Sequence, residues 1–188
     1  MALDTTIRTT PMPEEMHLLL KDYPRDVWGA HPNFKHATEQ WLGAHRMFRQ
    51  LGSIVRQSTE DYLDKSRDPE DYARRLSHYG SHLVGNLHGH HHWEDRSYFP
   101  ELSAADPRFD AGLEILEKDH EALDGILDQF ARGANRVIQL IQLDETAARN
   151  EAGAVHEGAS KIETLLDRHL TDEEDLAVPI ILHHKLRG

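Results

Sequence analysis

The feature that most constrains this chain is a His-x-x-x-Glu pattern that occurs twice, each time followed by a further acid and then a proline. The first copy is His90-His91-His92-Trp93-Glu94-Asp95-Arg96-Ser97-Tyr98-Phe99-Pro100; the second is His169-Leu170-Thr171-Asp172-Glu173-Glu174-Asp175-Leu176-Ala177-Val178-Pro179. On a helix, residues four apart lie on one face about one turn apart, so an imidazole nitrogen and a carboxylate oxygen can converge on one point. A single such pair is ordinarily a solvated ion pair. Here both copies continue apolar stripes, Leu76, Tyr79, Leu83 and Leu87 before His90, and Val155, Ala159, Ile162 and Leu166 before His169. Charge carried into a core must be paired or must coordinate a metal.

Helical periodicity organises the rest. Residues 1–33, with Pro11, Pro13, Pro24 and Pro32, read as an N-terminal arm over the bundle, with two helical turns over Glu14 to Lys21, carrying Met16, Leu18, Leu19 and Leu20, and Trp28 as an anchor. A first long helix starts at Phe34 and runs to about residue 65, its stripe passing through Trp41, His45, Phe48 and Leu51. A second begins at Asp68-Pro69-Glu70-Asp71, an acid at the cap and proline in the first turn. Pro100 and Pro107 are expected to bracket a loop. A third helix, capped by Asp110, carries Leu113, Leu116, His120, Leu123, Leu127 and Phe130; a fourth, capped by Asp144, is expected to stop at Pro179. No stretch alternates with a period of two. The expected fold is all-α, an up-down-up-down four-helix bundle over residues 34–182, with a short tail at 183–188 carrying His183 and His184.

Composition narrows the chemistry. The 188 residues suit one domain. There is no cysteine, so any metal must take nitrogen and oxygen ligands. A formal net charge of −12 argues against nucleic-acid or anionic-membrane partners. The opening residues Met1 to Thr6 lack the basic and apolar regions of a signal peptide, and no apolar run approaches a membrane span, so a cytoplasmic protein is expected. Walker, G-x-S-x-G and GxGxxG motifs are absent, as is the His-Asp doublet of helical two-metal phosphohydrolases.

The candidate metal ligands are His45, His90, Glu94, His120, His169 and Glu173: each half of the chain contributes two imidazoles and one carboxylate. Such a donor set suits iron ahead of manganese or zinc. If Glu94 and Glu173 both bridge, His45 with His90 would hold one metal and His120 with His169 the other, with an oxo or hydroxo bridge and one open position on each. His91 is turned about 100° from His90 and is expected outside the ligand set or facing solvent, with a fifth imidazole from His88, His91 or His92 left open; His36 is expected at the surface. Asp124 and Glu117 are candidates for orienting ligand histidines through the free ring nitrogen. Trp93 and Tyr98 are expected to pack, while Tyr79 is a candidate for a pocket role.

At these residues, over roughly Phe34 to Leu182, the chain resembles the hemerythrin-like family, also called the HHE cation-binding domain. The resemblance implies a four-helix bundle with a non-haem di-iron centre, the six residues above as ligands, and Glu94 and Glu173 bridging. Two features depart from the oxygen carriers of that family: the position one turn after His120 is Asp124, where a fifth histidine would stand, and His169 is followed by Glu173 at four residues rather than by an aspartate at five. These departures favour a more symmetric site, open at both metals. The pattern is similar to bacterial members linked to nitric oxide, peroxide and iron handling. The expected function is to bind, sense or turn over O2, NO or peroxide, as a peroxide- or NO-reactive oxidoreductase if it is an enzyme. The alternative is a non-enzymatic iron-responsive or iron-storage module.

Overall fold

A computed structural model describes residues 8–186. The reading of Met1 to Thr6, and the outer ends of the expected arm and tail, lie outside the described residues. Among the described residues the chain is helical with no strand. Its α-helices are α1 (Leu18–Asp22), α2 (His36–Leu63), α3 (Pro69–Trp93), α4 (Phe99–Ala105), α5 (Asp110–Leu143) and α6 (Glu145–His184). Four of them are long. Of these, α2 packs on α3 and α6, and α5 packs on the same two neighbours, closing a ring around one interior. None of the described helices is long and apolar enough to cross a membrane.

Local chemistry sets most helix starts. The Asp68 carboxylate accepts from the Asp71 amide at 3.0 Å, and Pro69 occupies the first turn, where its missing N–H costs nothing. Asp144 caps α6 in the same way, accepting from the Ala147 amide at 3.0 Å. Asp110 is not a cap: it is the first residue of α5, and Phe109 holds the cap position without a side-chain bond.

The two prolines expected to stop helices do not. After Trp93 the backbone widens into one π-helical turn, Glu94–Tyr98, in which the Phe99 amide reaches back to the Glu94 carbonyl; α4 then starts at Phe99 with Pro100 in its first turn. The proline falls where an amide donor is not needed. Pro179 lies inside α6, which continues to His184. A proline inside a helix costs about 3 kcal/mol, but Leu176, Ala177, Val178, Ile180, Ile181 and Leu182 around it are all buried. Burying a few aliphatic side chains, at about 1.5–3 kcal/mol each, outweighs that cost.

The core has two apolar layers. One contains Phe48, Leu51, Val55, Leu83, Leu87, Leu123, Leu127, Phe130, Ile162 and Leu166. The other contains Trp41, Tyr98, Phe99, Phe109, Leu113, Leu116 and Leu176, together with Met12, Met16, Leu19 and Trp28 from the segment before α2. Each long helix passes through both. Along α2 and α5 the second layer precedes the first, whereas along α3 and its continuation, and along α6, the first precedes the second. His45, His90, His91 and His120 fall at the crossing; on α6 His169 lies just before Leu170, the last first-layer leucine, and Glu173 falls at the crossing itself.

His183 and His184, expected in a tail, end α6. His184 Nε2 meets Asp106 Oδ2 at 2.8 Å, and Asp106 also accepts from Arg108 at 2.8 and 2.6 Å. Asp106 is 4% exposed. The Arg108 bonds, against some desolvation, hold its carboxyl well below the ordinary carboxylate range. Asp106→Ala is therefore expected to lower stability by about 1–3 kcal/mol near neutral pH. A depressed carboxyl stabilises above the unfolded-state pKa of 3.8 and loses that contribution as pH falls. Urea titrations should thus separate wild type and variant at pH 7 and bring them together as pH drops below about 4.

Candidate metal centre

At the crossing of the two layers, four helices deliver polar side chains into the interior. His45 comes from α2, His90 and His91 from the end of α3, Glu94 from the π-helical turn, His120 from α5, and His169 and Glu173 from α6. His45, Glu94, His169 and Glu173 are 0% exposed, His91 and His120 1%. His90 is the most open of the imidazoles, with 10% of its side chain exposed.

The donor atoms fall into groups of metal-ion size. In one, His45 Nε2 and His90 Nε2 are 3.0 Å apart, and His90 Nε2 is 2.8 Å from Glu94 Oε1. In the other, nitrogens of His91, His120 and His169 lie within 4.8 Å of one another. The carboxylates reach both. Glu94 presents Oε1 to His90 and Oε2 to His120 Nε2 at 3.6 Å; Glu173 Oε2 is 3.5 Å from His45 Nε2 and 3.7 Å from His169 Nε2. All six residues singled out from the sequence are thus brought together, with one addition.

The addition is His91. Because α3 sits between α2 and α5 in the ring, its inward direction falls between His90 and His91. His90 leans toward His45, whereas His91 stacks on His120 with ring centroids 4.1 Å apart. An inward face of a helix spans 100° or more, so two consecutive residues can share it. His91, expected outside the ligand set or facing solvent, instead faces the interior at 1% exposure, where it could supply the fifth imidazole that the sequence left open among His88, His91 and His92. The two groups contain three and two imidazoles, where the sequence suggested two and two.

Around the ring nitrogens stands a shell of acids. His45 Nδ1 bonds Glu174 Oε1 at 3.0 Å, His120 Nδ1 bonds Asp95 Oδ1 at 2.7 Å, and His91 Nδ1 bonds Asp124 Oδ1 at 3.1 Å. His169 Nδ1 faces Asp119 Oδ2 at 3.6 Å. Such partners keep the proton on Nδ1 and aim the Nε2 lone pair inward. Asp124 was foreseen. Glu117 makes none of these contacts, while Asp95, Glu174 and Asp119 were missed, and for two of them a signal existed. Each motif glutamate is followed by an acid, and the pair act alike: Asp95 orients the histidine of α5, and Glu174 that of α2.

The aromatics close the site. Trp41 Nε1 donates to Glu94 Oε1 at 2.7 Å, and Tyr98 packs edge-on to Trp41 at 5.2 Å and stacks with Trp93 at 5.1 Å. Tyr79 is packed against the first apolar layer, away from the ligands.

Burial lowers the pKa of His120 and His169, and with His120 repulsion takes His91 down to about 4, so these rings are neutral, as ligands must be. Burial acts against ionisation of Glu94, but the neighbouring His45 and His90 rings outweigh it and hold that carboxyl low. Glu173 goes the other way, raised by burial and by the Glu94 charge.

Several inward atoms are buried without a hydrogen-bond partner: Nε2 of His91, His120 and His169, Oε2 of Glu94, and both carboxylate oxygens of Glu173. Orphaned donors and acceptors at this density need a partner. Nitrogen and oxygen atoms at mutual distances under 4.8 Å fit metal cations.

The family model described as hemerythrin HHE cation binding domain matches residues 36–181, and the chain belongs to that family. Searches of curated proteins and of solved structures return no match.

Glu173→Gln removes one of two facing carboxylates and is expected to raise the melting temperature of metal-free protein. A carboxyl with a raised folded pKa costs stability as pH climbs above its unfolded value of 4.5. The stabilising effect should therefore grow from pH 4.5 upward. A chelator-treated variant that melts below wild type at pH 8 would remove the case for carboxylate crowding.

Proposed function

We propose that the protein holds two iron ions at this centre and uses them to bind, sense or turn over a small oxygen or nitrogen species: O2, NO or peroxide. The observation that supports this most directly is the pair of ion-sized donor groups joined by Glu94 and Glu173, with their inward atoms otherwise unsatisfied. Five imidazoles and two carboxylates without sulfur suit iron. His45 and His90 would hold one ion and His91, His120 and His169 the other, with both carboxylates shared. When bound, an iron pair supplies electrons by moving between ferrous and ferric states.

The chain's own residues would do the rest. The side of His45 and His90 has one donor fewer, and it includes the imidazole with most access to solvent. A small ligand is therefore expected to enter there. Trp41, Phe48 and Tyr98 exclude bulk water from that side, and the Trp41 N–H steadies Glu94. Glu174, Asp95 and Asp124 keep the ligand rings oriented.

The same reading includes the up-down-up-down four-helix bundle. It is supported by the ring of neighbours α2, α3, α5 and α6 and by the alternating order in which these helices cross the two apolar layers.

Metal analysis of aerobically purified protein tests the proposal. Two irons per chain are expected, with near-ultraviolet absorption that azide perturbs. His90→Ala and Glu173→Ala should each lose iron, and His91→Ala should release the ion on its side more readily than the other. Two irons retained in all three variants would overturn the assignment. Peroxide and nitric oxide turnover, set beside the melting temperatures of metal-free and iron-loaded protein, separates reactive chemistry from iron storage.

A further inference from the structure

The arm before α2 lies outside the matched family segment, yet two of its arginines reach the shell of acids behind the ligands. Arg25 donates to Glu174 Oε2 at 2.8 Å and to Asp175 Oδ1 at 2.7 Å. Glu174 in turn bonds His45 Nδ1. Arg8 donates to Asp119 Oδ2 at 2.8 Å and to Asp172 Oδ2 at 2.5 Å, and Asp119 faces His169 Nδ1 at 3.6 Å. One arginine thus serves a histidine in each ligand group. The bundle supplies partners of its own, Arg49 on Glu174 at 2.7 Å and Arg168 on Asp119 at 3.3 Å.

The arm is seated firmly enough to aim these groups. Met12, Met16, Leu19 and Trp28 are 4–6% exposed in the second apolar layer. The Arg25 guanidinium lies 5.0 Å from the Trp28 ring centroid, and Trp28 Nε1 donates to the Tyr23 carbonyl at 2.8 Å. At Gly112 on α5, an added Cβ would lie 2.9 Å from Met16 Sδ, so the arm approaches the helix backbone there as closely as a glycine permits. Around Glu173, α6 carries Asp172, Glu174 and Asp175, and the arm places a cation on each of the three.

We propose that Arg8 and Arg25 are positioning residues of the metal centre, through which the arm sets the orientation of His169 and His45 and the electron-donating strength of their rings. This rests on the di-iron reading above. A carboxylate already bonded to a guanidinium pulls less on the imidazole Nδ1 proton. The ring then donates less charge to a bound cation, and the two added positive charges act in the same direction. Both effects favour the ferrous state. Removing an arginine leaves a buried carboxylate with a lost partner, a stronger pull on Nδ1, and a less constrained ring.

The test uses full-length Arg8→Ala, Arg25→Ala and Arg25→Lys, with Arg46→Ala as a control whose exposed partner is Glu39. Iron-loaded protein is expected to lose iron to a ferrous chelator roughly 10–100-fold faster in both alanine variants. Their reduction potentials should be lower than wild type, with Arg25→Lys between and Arg46→Ala unchanged. In cobalt-loaded protein, Arg25→Ala should shift the exchangeable Nδ1–H resonance of His45 and spare that of His169, and Arg8→Ala the reverse.

Equal movement of both resonances in either variant, matched by a fall in melting temperature, would reduce the arm to a structural clamp. Unchanged potentials and resonances would also overturn the proposal. Wild-type protein that takes up no metal would be a failure of the di-iron reading instead. The arm's effect is then read from imidazole nitrogen shifts of metal-free protein, where each arginine variant must still move its own histidine alone.

Discussion

Two glutamates, Glu94 and Glu173, share a fully buried interior, and the rest of this structure is arranged around that fact. At an effective dielectric constant near 20, like charges about 4 Å apart repel by roughly 4 kcal/mol, and burying each costs several more. No ordinary core tolerates this without compensation. Part of it comes from within: Trp41 and His90 bond Glu94, and the carboxyl of Glu173 is driven toward its neutral form. The remainder is unmet, as the unpartnered oxygens and ring nitrogens show. Cations at the centre would satisfy them, in keeping with the family to which the chain belongs.

Compensation continues outward in alternating signs. Behind the imidazoles stand Glu174, Asp95, Asp124 and Asp119; behind two of those stand Arg25, Arg49, Arg8 and Arg168. Burial opposes the ionisation of Glu174 and Asp119, yet their arginine and histidine neighbours bring each carboxyl down to about 2. Glu174 and Asp119 thus remain charged across the physiological range. The sequence duplication extends into this layer, since the acid after each motif glutamate turns to the histidine of a different helix. A near two-fold relation between the halves follows from the repeated pattern, and His91 breaks it.

The apolar layers above and below the polar band also fix its position. Each long helix must change from one layer to the other, and the converging histidines and glutamates lie at or next to the turn where it does so. The arm thickens the second layer with Met12, Met16, Leu19 and Trp28, and in doing so it carries two cations to the rim of the site. Packing and electrostatics are in this way contributed by the same short segment.

Six of the seven converging residues were readable from the chain alone. Spacing of four and phase with leucine stripes are local properties, and local periodicity decides which helix face is apolar. The caps at Asp68 and Asp144 were legible for the same reason. What no local pattern contained was the placement of α3 between α2 and α5, and that placement turns His91 as well as His90 inward. Nor could spacing reveal that Pro179 stays helical, because the compensation comes from burial of distant surfaces around α6. The arginines at positions 8 and 25 were likewise invisible, since they lie more than a hundred residues from the acids they bind. Charge pairing over such separations is set by how the arm docks, and docking is a property of the assembled surfaces.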